Sequence, residues 1–108
     1  MIKVTYYVGT NDKDTCEKEL LNRDFFKVFD ELFINYTLQK SQDVYTMKDT
    51  GRTVKELTFI VTTLVNEDDI GTTNRLKIKI LNNVEKMKDV LNQESIIVEV
   101  SKPEIIFL

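Results

Sequence analysis

The sequence contains no histidine, no tryptophan and no alanine, and its single cysteine is Cys16. Without histidine it lacks the side chain that serves most often as general base and metal ligand. One cysteine cannot form an internal disulfide, so the expected home is a reducing compartment, the cytoplasm. No apolar run approaches the roughly 18 residues that a membrane helix needs, and no leader pattern opens the chain, so neither a membrane span nor export is expected. No charge of one sign dominates either. The 18 acidic and 15 basic residues give a net charge of -3, and both signs are spread along the chain. That leaves no clustered basic face for long nucleic acid or anionic lipid.

What is present fits one soluble domain: 108 residues, 42% hydrophobic and 31% charged, long enough to bury a modest core. In "IKVTYYV", residues 2–8, Ile2, Val4, Tyr6 and Val8 alternate with Lys3, Thr5 and Tyr7, which predicts a half-buried strand. Over 15–36 the period becomes helical, with Leu21, Phe25, Val28, Phe29, Leu32 and Tyr36 on one face. Asp14 and Glu17 have the spacing of a capping box, so the first helix is expected to begin at Asp14 or Thr15. Residues 37–47 alternate weakly, as an edge strand does, and "KDTGRT" (48–53) is turn chemistry. Residues 54–65 are rich in β-branched and aromatic side chains and read as a central strand. "NEDDIGTT" reads as loop and helix cap. A second amphipathic helix over 73–91 follows, then a strand over 94–100 that Pro103 ends.

The order βαββαβ predicts a ferredoxin-like α+β fold: a four-stranded antiparallel sheet with two helices on one face, strands one and three central. Residues 1–103 form the domain, and 104–108 are a short apolar tail. This topology brings residues 9–15, 48–53 and 91–95 to one sheet edge, together with the free amides of the first helix, a natural place for an anion. The expected ligand-binding residues there are Lys13 and Arg52 for phosphate, Asn11, Thr15 and Gln93 for polar edges, and Tyr7 or Tyr45 for stacking on a base. Polar loops at this edge are also what any such fold requires. The sheet face away from the helices is expected to carry Thr5, Tyr7, Glu56, Thr58, Ile60, Thr62, Ile97 and Glu99. With the tail Ile105, Ile106, Phe107 and Leu108, it holds enough apolar area to pair with another copy, so a homo-oligomer is expected.

Abundant Lys, Asn and Ile track AT-rich codons and point to a low-GC bacterium or its virus. "YYVGTNDKDT", "DTGRTVKELTFIV" and "LNQESIIVEV" together resemble a family of small uncharacterised phage and prophage proteins of low-GC bacteria, related to a bacterial domain-of-unknown-function family. The resemblance implies a phage origin and a role against a host component or signal. Three functions follow as expectations. The first is a non-catalytic oligomer that sequesters a small anionic ligand such as a host immune signalling nucleotide, with no cofactor and no metal. The second is an inhibitor that binds a host defence protein through the acidic first helix, with Glu17, Glu19, Asp24, Asp30 and Glu31. The third is a small ferredoxin-like enzyme, with Asp12, Asp14, Glu56 or Glu94 as base, or Cys16 as a nucleophile activated in the first helical turn.

Overall fold

The computed structural model describes residues 1–67 and 73–108. Strand β1 spans Ile2–Gly9, helix α1 Asn22–Leu32, β2 Thr37–Thr46, β3 Thr53–Val65, α2 Thr73–Leu91 and β4 Ile97–Ser101. Among the described residues the sheet order is β2-β3-β1-β4 and every pairing is antiparallel, the expected ferredoxin-like arrangement. Of the loop and cap expected over 66–73, residues 68–72 lie outside the described residues.

Alternation along β1 sends Val4, Tyr6 and Val8 to one face, where Val61 and Phe59 stand opposite Tyr6 and Val8 on β3. Phe25 and Phe29 of α1 and Leu76, Met87 and Leu91 of α2 cover that face. Phe59 is its centre, with the rings of Phe26, Phe25 and Phe29 at 5.2, 5.4 and 6.1 Å. Burial of the neighbouring Tyr6 raises its phenol pKa, and Asn83 Nδ2 donates to its oxygen at 3.4 Å.

Three boundaries differ from the sequence reading. The first helix begins at Asn22, not at Asp14 or Thr15. The Asp14 and Thr15 amides donate to Asp12 Oδ1 at 2.8 and 3.2 Å, and Cys16 adopts φ 59°, which no right-handed helix accommodates. The residue that caps α1 is Asp24, whose carboxylate accepts the Leu21 N–H at 2.9 Å. At the other end, Phe33 is extended and Tyr36 lies beyond the helix. The Tyr36 hydroxyl donates to Asp30 at 2.6 Å, which pushes its pKa up to about 12. Finally, β4 starts at Ile97 rather than residue 94, because Asn92 and Gln93 are spent in closing α2.

The tail turns back across the open face of the sheet. Pro103, Ile105 and Phe107 stand beside Lys3, Thr62 and Leu64 around a 640 Å³ hollow. No described helix is long and apolar enough to cross a membrane.

Replacing Phe59 by alanine is expected to cost about 3–5 kcal/mol in a denaturant melt, since three rings lose their common partner. Asp24→Ala is expected to cost about 1 kcal/mol, whereas Thr15→Ala stays within about 0.5 kcal/mol. The opposite ranking would return the helix start to Thr15.

Candidate functional site

Strand β1 ends at Gly9, opposite Thr58. Beyond that point β3 pairs only with β2, so residues 43–46 and 53–56 form a two-stranded arm projecting past the sheet. Glu56, at the base of the arm, lays its carboxylate over Gly9. A Cβ on Gly9 would come within 2.7–2.8 Å of the three carboxylate atoms, so only glycine admits this approach. Glu56 Oε2 accepts the Asn11 N–H at 2.8 Å. Thr10 continues the turn, its amide and hydroxyl both donating to the Leu57 carbonyl at 3.1 and 2.7 Å.

The segment after Gly9 is fastened to the C-terminus of α2. Asn92 takes φ 50°, and the Gln93 amide donates back to the Lys88 carbonyl at 3.0 Å, a Schellman closure with asparagine in the left-handed position. This turns the Asn92 side chain toward the loop, where Nδ2 donates to Asp12 Oδ2 at 2.7 Å and Asp14 Oδ2 at 2.9 Å. The Asn92 carbonyl accepts the Lys13 amide at 3.0 Å. Gln93, 6% exposed, gives its Nε2 to the Asn11 carbonyl at 2.9 Å. Hydrogen bonding, from Asn92 first, lowers the Asp12 pKa.

Between this loop, the arm and the start of β4 lies a basin of about 360 Å³. Its walls are Tyr7, Tyr45 and Ile97, and among the described residues its charged lining is Asp12, Asp43, Glu56 and Glu94 against Lys13 alone. Asp43 Oδ2 accepts from the Thr58 hydroxyl at 2.7 Å. Tyr7 donates its hydroxyl to the Glu99 carboxylate, which raises the Tyr7 pKa. Among the described residues, no group of three or more His, Cys, Asp or Glu side chains is placed to hold a metal ion.

Of the expected ligand-binding residues, Tyr7, Asn11, Lys13, Tyr45 and Gln93 line the basin. Gln93 does so as a brace, with its amide nitrogen committed to the backbone. Thr15 is exposed and bonds within its own loop. Arg52 sits at the tip of the arm, where its backbone closes the turn with Met47 and Thr50, and it does not line the basin. The expected helix terminus is also absent from this edge, because α1 begins at Asn22 and none of residues 21–24 lines the basin. Cys16 lines it from a loop, not from a helical turn. Sequence reasoning missed Asp43 as a site residue and weighed Glu56 only as one of several bases. The hairpin register would have found both, since Thr46 opposite Thr53 sets Asp43 opposite Glu56.

No family model matches the chain, and no curated protein matches it in sequence. Solved structures do. A phage SAM lyase in complex with S-methyl-5'-thioadenosine superposes with a TM-score of 0.69 at 18% identity, over 94% of this chain and 80% of that one. A phage SAM lyase in its apo state gives 0.61 at 21% identity, over 93% and 78%. The divalent ion tolerance protein CutA1 from Ehrlichia chaffeensis gives 0.50 at 12% identity, over 98% and 84%. These likenesses establish the fold. They also overturn the expectation of a non-catalytic chain. That expectation rested on the absence of an apparent catalytic motif and on the phage-family resemblance, and this fold carries a lyase in both phage structures.

Two outcomes test the site's construction. Gly9→Ala is expected to displace Glu56 and cost about 1–2 kcal/mol through loss of the bond to Asn11, a cost that vanishes in a Glu56→Ala background. Asp12 ionises more easily folded than unfolded, so its contribution is complete above the ordinary aspartate range and is lost as pH falls through the lowered value. The protection factors of the Asp14 and Thr15 amides, exchange measured against its intrinsic rate at each pH, should therefore fall on acidification in the parent. In Asp12→Ala they should be low and independent of pH across that range.

Proposed function

We propose that this chain binds an adenosine sulfonium of the S-adenosylmethionine type in the basin at the end of β1 and cleaves its C–S bond, releasing methylthioadenosine. The observation that carries the reading is the lining: carboxylates outnumber the single lysine, and tyrosines flank them. A sulfonium with an aromatic base suits such walls through charge and cation–π attraction. The phosphates of a signalling nucleotide would have to sit among four carboxylates with Lys13 as their only cation, so the anionic ligand is disfavoured. Fold likeness to a lyase whose structure holds S-methyl-5'-thioadenosine supports the same ligand class.

The chemistry needs no oxidant, cofactor or histidine. In one redox-neutral route the substrate's own carboxylate attacks its γ-carbon. The C–S electron pair then passes to sulfur, leaving methylthioadenosine and homoserine lactone. The protein's part is to hold the carboxylate in line with the bond that breaks. In the other route a carboxylate of the basin removes a β-proton, the electrons form a Cβ–Cγ double bond, and the same sulfur leaves with vinylglycine as co-product. Glu56 is then the base, since Gly9 and Asn11 hold it in place.

In a phage-infected bacterial cytoplasm this reaction depletes the host's methyl donor, so the anti-defence role acts through consumption of a metabolite. An inhibitor acting through the acidic helix has less support. Asp24 caps its own helix, Asp30 binds Tyr36, and Glu31 faces Lys86 at 3.9 Å. The basin is open on the sheet face, and Ile97 and Phe107 are exposed apolar groups near it or along the same face. A homo-oligomer covers them and deepens the site.

Incubation with S-adenosylmethionine should yield one methylthioadenosine per substrate consumed, and mass spectrometry of the co-product distinguishes lactone from vinylglycine. Tyr45→Ala should lower kcat/KM by about tenfold, as loss of a stacking face does, with the melting temperature held within a few degrees. Absence of methylthioadenosine at every enzyme concentration would refute the proposed function. A solution mass at the 12.6 kDa monomer value would remove the oligomer.

A further inference from the structure

The β2–β3 register sets Asp43 directly opposite Glu56 on the open face. Like charges in a cross-strand pair oppose folding, and such pairs are ordinarily relieved by a lysine or arginine beside them. Among the described residues no ion pair supplies that relief, and Lys13, the cation lining the same basin, is not paired with either carboxylate. Each carboxylate has one oxygen tied to a neutral donor, Asp43 Oδ2 to the Thr58 hydroxyl and Glu56 Oε2 to the Asn11 amide, and neither forms an ion pair. Thr58 is buried at 3% exposure, so its hydroxyl is a fixed anchor for Asp43. Gly9 supplies the equivalent for Glu56, since its missing Cβ is the space the carboxylate occupies. Two carboxylates from opposed strand positions are therefore each tied to a neutral donor, each with an oxygen left over, on the wall of the basin that also carries Tyr45.

We infer that the Asp43–Glu56 pair is the charge filter of the basin: it selects a ligand bearing positive charge at sulfur over the neutral thioether of otherwise the same shape. The inference rests on the proposed adenosine-sulfonium reading and adds what sets its selectivity. The bound cation supplies the countercharge that the fold withholds, so binding relieves a repulsion as well as forming an attraction. The neutral thioether relieves nothing. For a lyase this has a direct use, because cleavage turns a sulfonium into a thioether at the same atom. The pair that holds the substrate thus loses its hold on the product, and methylthioadenosine leaves.

The test uses two ligands that cannot react by either route, because they lack the amino-acid chain: methylthioadenosine and its S-methylated dimethylsulfonium form. They differ by one methyl group and one positive charge. The parent is expected to bind the sulfonium at least about tenfold more tightly at low salt, with the preference shrinking as salt rises. Asp43→Asn and Glu56→Gln should each reduce the preference severalfold, and the double variant should abolish it, while affinity for methylthioadenosine stays the same or increases. Both variants should melt at or above the parent temperature, because removing one charge relieves the repulsion. If both ligands bind equally to the parent, or the variants keep the preference, the charge filter is overturned and the proposed site stands. If neither ligand binds the parent, the filter falls together with the site it rests on.

Discussion

The functional end of the molecule depends on the way the second helix stops. A helix closed by a left-handed residue must place something there that tolerates positive φ, and glycine is the usual choice. Here it is Asn92, and the difference is a side chain. The conformation that ends the helix also aims an amide at the loop leaving the first strand, where two aspartates accept from it and a backbone amide meets its carbonyl. Without Asn92 the segment carrying Asn11, Lys13 and Cys16 has only the Gln93 brace and the Glu56 carboxylate to hold it. Helix termination and site construction are one event.

The opposite wall obeys another constraint. A sheet face stripped of helices needs polar groups, and those groups normally satisfy one another, as Thr5 and Thr62 do at 3.4 Å or Tyr7 and Glu99 do at the edge. Near the arm that rule is suspended. Two acidic residues occupy opposed strand positions with neutral hydrogen-bond donors and no ion pair, and the glycine beneath one carboxylate is needed for it to be there. This local conflict in an otherwise consistent structure is where a ligand's contribution belongs.

The periodicities of β1, β3 and α2 were strong enough to place all three within a residue or so, because each element buries a full face against Phe59 or its neighbours. Topology followed from those periods and the handedness of crossovers. The first helix was misplaced because Asp12, Asp14 and Thr15 look the same in sequence whether they cap a helix or an irregular turn. The choice was made by Asn92, 80 and 78 residues away. Tyr7, Asn11, Lys13, Tyr45 and Gln93 were legible as lining through strand alternation and loop convergence. Arg52 was not, because the arm's length depends on where β1 stops pairing, and a strand's end is less sharply written than its middle. The acidity of the basin's wall was also illegible, since it comes from an arm register that sets Asp43 opposite Glu56.

The central position of β1 bears on how the molecule comes together. The β2–β3 hairpin is local in sequence and can zip from its own turn, whereas β1 must find partners as distant as residues 97–101 before the sheet is complete. Loop-closure entropy delays such pairings, so the hairpin is the natural early structure and the terminal strands the late one. The contacts that close the basin, from Asn11 with Glu56 to Asp12 with Asn92, span that late step. A chain arrested with only its hairpin formed would already expose the two opposed carboxylates, but it would have no basin around them. The basin is therefore a report on the last pairing to form, and a nascent chain has no such basin until its own C-terminal strand has been made.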